Sequence, residues 1–233
     1  MKVQSTLLRS LVAAAAVFAT QAAHAAITDD FAVDAGGWRA IDLAGSGDYG
    51  MVISTFSVTH HASGGAPGGH ISASDPSVYS FYFDAPGKYT GNLSAYAGGT
   101  LSFDTYYTPN EASSAWRDDA DVVLSSGSTH LVWQAANNPG ANWTHVSVAL
   151  DAAQGWKIGS IHGSQATAAD LANALSNLTA LRIRGEYVSG VIETTGLDNV
   201  SLAPVPEPET WAMLLAGLGI VGTLGRRKHR ASR

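Results

Sequence analysis

The stretch that decides the fold is residues 98–106, Gly98-Gly99-Thr100-Leu101-Ser102-Phe103-Asp104-Thr105-Tyr106. After the glycine pair, apolar and polar residues alternate with a period of two. Leu101 and Phe103 fall on one side, and Ser102 and Asp104 fall on the other. Because side chains alternate across a β-strand, this pattern predicts a strand with one face in the core and one face turned to solvent.

Similar short segments lie on both sides of residues 98–106. They are residues 27–31, 51–58, 70–73, 79–83, 119–124, 129–134, 143–150, 179–188 and 196–202. Clusters of Gly, Pro, Asn and Ser separate them, and Ser125–Ser128 predicts the turn of a hairpin. Residues 60–69, rich in Gly and His, are predicted to form a loop. About ten short strands without αβ alternation predict an all-β fold, an antiparallel β-sandwich of jelly-roll type.

One short helix is predicted within this β pattern. Thr167-Ala168-Ala169-Asp170 has the form of a capping box, in which Thr is the N-cap and Asp stands at the third helical position. Apolar residues then recur at helical spacing, at Leu171, Ala174, Leu175 and Leu178. The sequence therefore predicts a helix that begins after Thr167 and buries one face.

The N-terminus is predicted to be a signal peptide, residues 1–25. Lys2 and Arg9 supply positive charge, an apolar stretch follows from Leu11 to Ala19, and Ala23-His24-Ala25 is a small-x-small cleavage site. We expect export through the Sec machinery and a mature chain that starts at Ala26. The folded domain is then predicted to span residues 26–204.

Residues 205–233 combine three features in a fixed order. Pro206-Glu207-Pro208 interrupts regular structure, residues 211–224 carry no charge and can form a helix, and the basic tail 226–233 begins with Arg226-Arg227. The uncharged run is fourteen residues, about 21 Å of helix at ~1.5 Å per residue. The hydrocarbon core of a bilayer is ~30 Å thick, so the length favours transient membrane association over a lasting anchor.

This tail resembles the PEP-CTERM sorting signal of Gram-negative bacteria that produce exopolysaccharide. The resemblance rests on Pro206, Glu207, Pro208, the apolar run, Arg226 and Arg227. It implies recognition by the membrane enzyme exosortase, passage through the inner membrane, and delivery to the cell envelope or extracellular matrix. An ordinary tail anchor behind a proline-rich linker is the alternative interpretation.

A second resemblance covers most of the body, roughly residues 79–202. The pieces that carry it are Gly98–Phe103, Asp121–Leu124, Trp143-Thr144 with its strand, Ala166–Leu175, Leu178–Arg184 and Gly196–Val200. These pieces resemble laminin B (laminin IV type A) domains. Ala97 stands where that family usually has tyrosine before the two glycines. The resemblance implies a galactose-binding-like jelly roll and an adhesive or matrix module without catalysis.

Charge and composition exclude some partners. The predicted domain holds six basic residues against seventeen acidic ones, a formal charge of −11. Such a surface repels nucleic acid and anionic lipid. The chain has no cysteine, so the exported domain is held together without disulfides.

The sequence contains no recognised catalytic motif. There is no Gly-x-Ser-x-Gly elbow and no His-Glu-x-x-His pattern, and the body's glutamates, Glu111, Glu186 and Glu193, lie far apart. We therefore predict a protein that is not an enzyme. A carbohydrate-active enzyme on the same sandwich stays open, because aspartates distant in sequence can meet in space. A self-associating structural envelope protein is a third possibility.

The acids and histidines of the body are its candidate metal ligands. His60, His61 and His70 flank the predicted loop, and solvated loop residues are the preferred interpretation over a transition-metal site. The jelly-roll resemblance implies a structural Ca²⁺ where the first and last strands meet. Its predicted ligands are Asp29 and Asp30 on the first strand and Asp198 on the last. Alternatively, Asp198 caps a turn by accepting backbone N–H groups.

The tryptophans are the candidates for contacts with sugar rings. Trp133 and Trp143 lie in strand patterns, so core packing is predicted for them. Trp116 and Trp156 lie in loop-like segments and are the predicted carbohydrate contacts. The sequence as a whole predicts an exported, non-enzymatic matrix, adhesion or carbohydrate-binding module, with exopolysaccharide as a possible partner.

Overall fold

The computed structural model describes residues 24–44, 50–74, 77, 79–108, 115, 117–188 and 190–205. The predicted signal peptide up to residue 23 and the predicted sorting tail from Pro206 onward lie outside these residues, and so does Trp116. In the described part of the chain, no helix is long and apolar enough to cross a membrane.

The described strands form two antiparallel sheets. Sheet A contains β1 (Ile27–Asp29), β4 (Thr59–Gly65), β5 (Gly68–Ser74), β7 (Thr100–Thr108), β10 (Thr144–Ala149) and β13 (Thr194–Ala203). Its order is β10-β7-β13-β5-β4, with β1 also paired to β13. Sheet B contains β2 (Arg39–Ala44), β3 (Met51–Ser57), β6 (Ser80–Asp84), β8 (Val122–Ser126), β9 (Thr129–Trp133), β11 (Lys157–Ile158) and β12 (Ala180–Arg184). Its order is β11-β9-β8-β12-β6-β2-β3.

The main core lies between the two sheets. Leu101 and Phe103 on β7 are fully buried, and Leu202 of β13 and Val146 of β10 lie directly opposite them. Sheet B contributes residues such as Phe83 to the same core. The period-two pattern of residues 100–106 is thereby confirmed, as is the predicted antiparallel β-sandwich.

The outer side of sheet B carries a second, smaller core. Ile41, Leu43, Tyr82, Val123 and Val132 are buried there together with Ala120. Ile161, from the segment after β11, packs against them and is partly buried. Part of the outer side of sheet B is therefore apolar and buried.

The helix α1 (Ala168–Ser176) begins where the sequence predicts. The Thr167 hydroxyl accepts the Asp170 N–H, and the Asp170 carboxylate accepts the Thr167 N–H at 2.8 Å. Leu171, Ala174 and Leu175 are buried in the main core. The predicted hairpin at residues 125–128 is also confirmed, since Ser126 pairs with Thr129 across β8 and β9.

Residues 60–69 depart from the prediction of a loop. They belong to the hairpin β4–β5, in which His61 pairs with His70 and Gly65 pairs with Gly68. Its turn contains a cis peptide bond between Ala66 and Pro67. The segment is glycine-rich, so its own sequence favours a strand only weakly; the pairing of β5 with β13 supplies the rest.

Candidate functional site

The candidate site is the outer face of sheet A, which is the side of the sheet turned away from the main core. The β7 alternation places Asp104 and Tyr106 on this face. Asp198 of β13 lies opposite Asp104, and Gly196 lies opposite Tyr106.

Four rings gather at one end of this face, and we call them the aromatic cluster: His61, His70, Tyr106 and Trp143. The Tyr106 and Trp143 rings meet edge to face with centroids 4.6 Å apart. His70 meets Trp143 edge to face at 5.3 Å and stacks on His61 at 4.4 Å. His70 is buried, and the other three residues are half-buried. The cluster is therefore a partly accessible aromatic surface outside the main core.

The backbone around the cluster is shaped to admit these rings. The Tyr106 ring lies across Gly196, where an added Cβ would stand only 2.1 Å from Tyr106 Cε1. Glycine at position 196 is what allows the ring to lie flat on the sheet, because a side chain there would occupy the same space. In the sequence, Gly196 lies in the last predicted strand, directly before Leu197.

The turn of the β4–β5 hairpin folds over the same face and is held by three hydrogen bonds. Trp143 Nε1 donates to Gly64 O at 2.9 Å, and Ala66 N donates to Asp198 Oδ2 at 2.7 Å. Asn199 Nδ2 donates to Ala66 O at 2.6 Å. Asn199 has a positive φ of 49° at a bulge in β13, a conformation that asparagine tolerates better than most residues. These bonds fix one wall of the aromatic cluster.

A row of polar groups continues from the cluster along the outer face. The His145 Nδ1 atom lies 2.9 Å from Asp104 Oδ1, and Asn199 Nδ2 donates to Asp104 Oδ2 at 2.8 Å. His145 is largely exposed, with 63% of its side chain accessible. The face thus combines apolar rings with hydrogen-bonding groups that reach solvent.

Burial shifts the ionisation of this region. Burial lowers the pKa of His70, and the neighbouring His61 lowers it further, so His70 is held as a neutral imidazole at pH 7. Burial raises the pKa of Asp198, against the opposing effect of the hydrogen bonds from Ala66 and Asn199, and the nearby acids Asp104 and Asp30 raise it further. Burial also raises the pKa of Tyr106, which stays a neutral phenol.

The predicted calcium ligands are only partly brought together. Asp29 Oδ1 binds Lys88 Nζ at 2.6 Å, and Asp29 Oδ2 accepts Trp38 Nε1 at 2.8 Å. Asp198, by contrast, lies on the outer face, where Asp30 is close enough to affect its pKa. Among the described residues, no three Asp, Glu or His side chains are placed to hold one metal ion. The described geometry therefore does not fit the predicted trio, and calcium binding stays a prediction of the resemblance.

Asp198 caps a turn by accepting backbone N–H groups, as its alternative interpretation predicts. Its two carboxylate oxygens accept the backbone N–H groups of Ala66 and Asn199, both at 2.7 Å. The side chain is fully buried, so its carboxylate acts on the turn of the hairpin and is shielded from solvent.

Trp156 is fully buried in the main core, and its Nε1 donates to Ala149 O at 2.9 Å. A buried ring offers no face to a sugar, so the prediction that Trp156 is a carbohydrate contact is wrong. The other predicted contact, Trp116, lies outside the described residues. Trp143, predicted to pack in the core, is instead half-buried on the outer face.

His60, His61 and His70 are also placed differently from the prediction of solvated loop residues. His60 Nε2 lies 2.8 Å from Phe31 O, and His61 Nε2 lies 2.8 Å from Ser72 Oγ. These histidines lie on paired strands and help to hold the sheet.

The position of Tyr106 on the outer face could have been predicted from the sequence. The alternation that places Leu101 and Phe103 in the core and Asp104 on the opposite side also places Tyr106, two residues after Asp104, on the outer face.

Comparison with known proteins agrees with this architecture. The fold is that of an antiparallel β-sandwich module with a polar outer face on one sheet. The family model described as laminin B (domain IV) matches residues 82–209, which is more than half of the chain. The chain belongs to the laminin B (domain IV) family.

A second family model, the PEP-CTERM protein-sorting motif, matches residues 204–230. This motif marks an exported, envelope-directed protein of Gram-negative bacteria and implies processing by exosortase. The suspected sorting signal at Pro206-Glu207-Pro208 is thereby confirmed.

The solved structures that are similar to the chain include a laminin domain and a carbohydrate-binding module. The L4b domain of human laminin alpha-2 is 14% identical with a TM-score of 0.58, over 78% of this chain and 98% of that domain. The family 11 carbohydrate-binding module of a cellulosomal cellulase of Clostridium thermocellum is 14% identical with a TM-score of 0.46, over 77% of this chain and 94% of that module. The first likeness shows the shared fold. The comparison with curated proteins gave no match.

Proposed function

We propose that this protein is an exported, non-enzymatic module that binds polysaccharide through the outer face of sheet A. The observation that carries the proposal is the aromatic cluster, with half-buried Tyr106 and Trp143 beside the polar row of Asp104 and His145. Binding sites for small polar ligands commonly combine apolar or aromatic walls with a few placed hydrogen-bonding groups.

A sugar ring suits such a surface because it has an apolar C–H face and a polar rim. The C–H face would pack on the rings of Tyr106 and Trp143, which are large, rigid and amphipathic. The hydroxyl groups of the sugar would form hydrogen bonds with Asp104 and His145. His145 is the more exposed of these two residues. His70, held neutral by burial, adds no charge that would need a counterion.

The negative charge of the domain limits which polysaccharides can bind to it. Residues 26–204 carry a formal charge of −11, and an acidic polymer would be repelled from such a surface at low ionic strength. We therefore propose a neutral polysaccharide as the ligand, supplied by the extracellular matrix that surrounds the producing cell.

The geometry of Asp198 supports a binding role over hydrolysis. Glycoside hydrolysis needs two carboxyl groups that reach the scissile bond from solvent. Asp198, opposite Asp104 in the sheet, is fully buried, and both of its oxygens accept backbone N–H groups. The pair therefore supports the architecture of the face, and only Asp104, whose side chain is 14% exposed, reaches solvent.

The sorting motif supplies the delivery route in this proposal. After export by the Sec machinery, the apolar run 211–224 would enter the inner membrane only transiently, until exosortase processes the tail near Pro206-Glu207-Pro208. The sandwich would then act in the envelope or in the exopolysaccharide.

The test is binding of the exported protein to a panel of neutral and acidic polysaccharides in affinity electrophoresis. Trp143→Ala should weaken binding to the neutral ligand at least about tenfold, or ~1.4 kcal/mol. Tyr79→Ala is the matched control, because Tyr79 is also an aromatic residue that is 44% exposed but lies outside the aromatic cluster. Tyr106→Ala provides a second variant in case Trp143→Ala lowers the melting temperature.

Equal loss in Trp143→Ala and Tyr79→Ala would contradict the proposed location. Reducing ends should be assayed in the same incubations, where we expect none above background. Release of reducing ends that disappears in Asp104→Asn would replace the binding proposal with an enzymatic one.

A further inference from the structure

Strand β3 forms an open edge of sheet B. It pairs with β2 on one side, and no strand among the described residues pairs with its other side. Its sequence is Met51-Val52-Ile53-Ser54-Thr55-Phe56-Ser57, seven residues without charge or proline. Six of the seven are exposed, and Phe56 is partly buried against the core.

An open edge matters because its unpaired N–H and C=O groups are a template for another strand. Natural proteins protect edges with lysine, proline, short strands or covering segments. The opposite edge of sheet B follows this rule, since β11 is only two residues long. Strand β3 has the length of a full strand and, within its seven residues, neither lysine nor proline.

The exposed side chains of β3 are also apolar at one end. Met51 is 73% exposed, Val52 is 41% exposed and Ile53 is 40% exposed. Three consecutive apolar residues on a strand edge lose contact with water when another strand lies beside them. Burial of such surface is favourable by about 25 cal/mol per Å².

We propose that β3 pairs antiparallel with the β3 strand of a second copy, so that sheet B continues from one copy into the other across a two-fold axis. The strand is self-complementary in any register, because every cross-strand contact joins uncharged, β-branched, aromatic, methionine or serine side chains. No register brings like charges together. Ser54 takes part in this edge while its hydroxyl stays bonded to Asp42 Oδ2 at 2.8 Å.

A second copy fits this edge better than a foreign strand does. An uncharged strand offers no charge pattern with which to select a foreign partner, and edges of other proteins are generally protected. The β3 strand of another copy is an edge of equal length, and its backbone N–H and C=O groups also need a neighbouring strand. One contact then satisfies both edges, which is the isologous arrangement common in two-fold dimers.

The first test is sedimentation equilibrium of the exported protein purified from its producing cells, over about 1–200 µM, which spans affinities of −8 to −5 kcal/mol. We expect a reversible dimer. Ile53→Lys should raise its dissociation constant at least about tenfold, or ~1.4 kcal/mol, because it puts one positive charge from each copy into an otherwise uncharged contact beside the axis. The matched control is Ile192→Lys, at an isoleucine that is 76% exposed and lies outside β3; it should leave the dimer intact.

A second test uses the absence of cysteine from the chain. When the two strands pair along their full length, the two-fold axis passes beside Ser54, the central residue of Met51–Ser57. Ser54→Cys therefore places one thiol at the axis, and mild oxidation should give a disulfide-linked dimer at concentrations where Tyr79→Cys stays monomeric. A wild-type protein that is monomeric throughout the range would overturn the proposal. So would a dimer that Ile53→Lys leaves unchanged while its melting temperature is normal.

Discussion

His70 occupies a position where both its surroundings and its neighbours oppose a positive charge. It is buried between β4 and β13, stacks on His61, and lies near His60. Burial lowers the pKa of His70 below its ordinary value of about 6.5. In the unfolded chain the same side chain takes up a proton at its ordinary pKa.

This difference predicts that acid weakens the fold through His70. A depressed pKa stabilises the folded state above about pH 6.5, and that stability is lost as the pH falls through the lower pKa of the folded protein. The melting temperature should therefore fall between about pH 7.5 and pH 5, and His70→Phe should make this fall shallower.

His162→Asn is the control, since 76% of the His162 side chain is exposed. It should leave the pH dependence of the melting temperature as it is in the wild-type protein. Parallel curves for the wild type and His70→Phe would contradict the role of His70.

The two tryptophans show what local sequence can and cannot determine at this scale. Trp156 follows a turn and was predicted to be exposed, yet it fills the core. Trp143 opens a strand and was predicted to be buried, yet it lies on the outer face. Whether a residue outside a strand is buried depends on which other segments pack over it. Here those segments are β10 and the hairpin β4–β5, which are distant in sequence from each other.

At the scale of elements, α1 is the clearest case in which sequence alone predicts structure. Its start is fixed by a local exchange of hydrogen bonds between Thr167 and Asp170, which lowers the pKa of the Asp170 carboxyl. Nothing distant in sequence is needed for this cap. The buried face of Leu171, Ala174 and Leu175 then orients the helix on the core.

The cap predicts a specific loss of stability. Thr167→Ala should cost about 1 kcal/mol in the free energy of unfolding, because an N-terminal N–H of the helix loses its acceptor. For a domain of this size that is a fall of roughly 2–4 °C in melting temperature.

Asn173→Ala is the matched control, since Asn173 is exposed in the middle of the same helix and alanine favours helix there. It should leave the melting temperature unchanged or raise it. A loss of similar size in both variants would contradict the role of the cap.

The hairpin β4–β5 is the opposite case. Its glycines and histidines gave no alternation, so a loop was predicted. The hairpin is held by partners more than a hundred residues away, Asp198 and Asn199, which bond to Ala66. Pairing with distant strands overrides the weak local preference of this segment. The local sequence of residues 60–69 does not show which strands it will pair with, so it does not predict the hairpin.

For the whole molecule, the antiparallel sandwich and the sorting motif were both predictable from sequence. The sandwich followed from the repeated alternation and the resemblance at Gly98–Phe103 and Leu178–Arg184. The candidate site was not predictable as a whole, because it joins β4, β5, β7, β10 and β13 with Trp143, the residue before β10. The sequence separates these pieces by up to about 130 residues.

The sorting proposal makes a prediction about the mature chain. Intact mass spectrometry of the protein from its producing cells should show a chain that begins at Ala26 and ends near Pro206-Glu207-Pro208. In cells that lack exosortase, the mass should include the whole tail to Arg233. A full-length tail in both strains would contradict transient use of the tail.

The central claim is that a neutral polysaccharide binds at the aromatic cluster on the outer face of sheet A. The most direct measurement is the set of tryptophan indole N–H resonances of the ¹⁵N-labelled exported protein during titration with that polysaccharide. The Trp143 indole, bonded to Gly64 O, should shift in a saturable way, while the indoles of buried Trp38 and Trp156 should stay in place. Saturable binding that leaves the Trp143 resonance unmoved would contradict the claim.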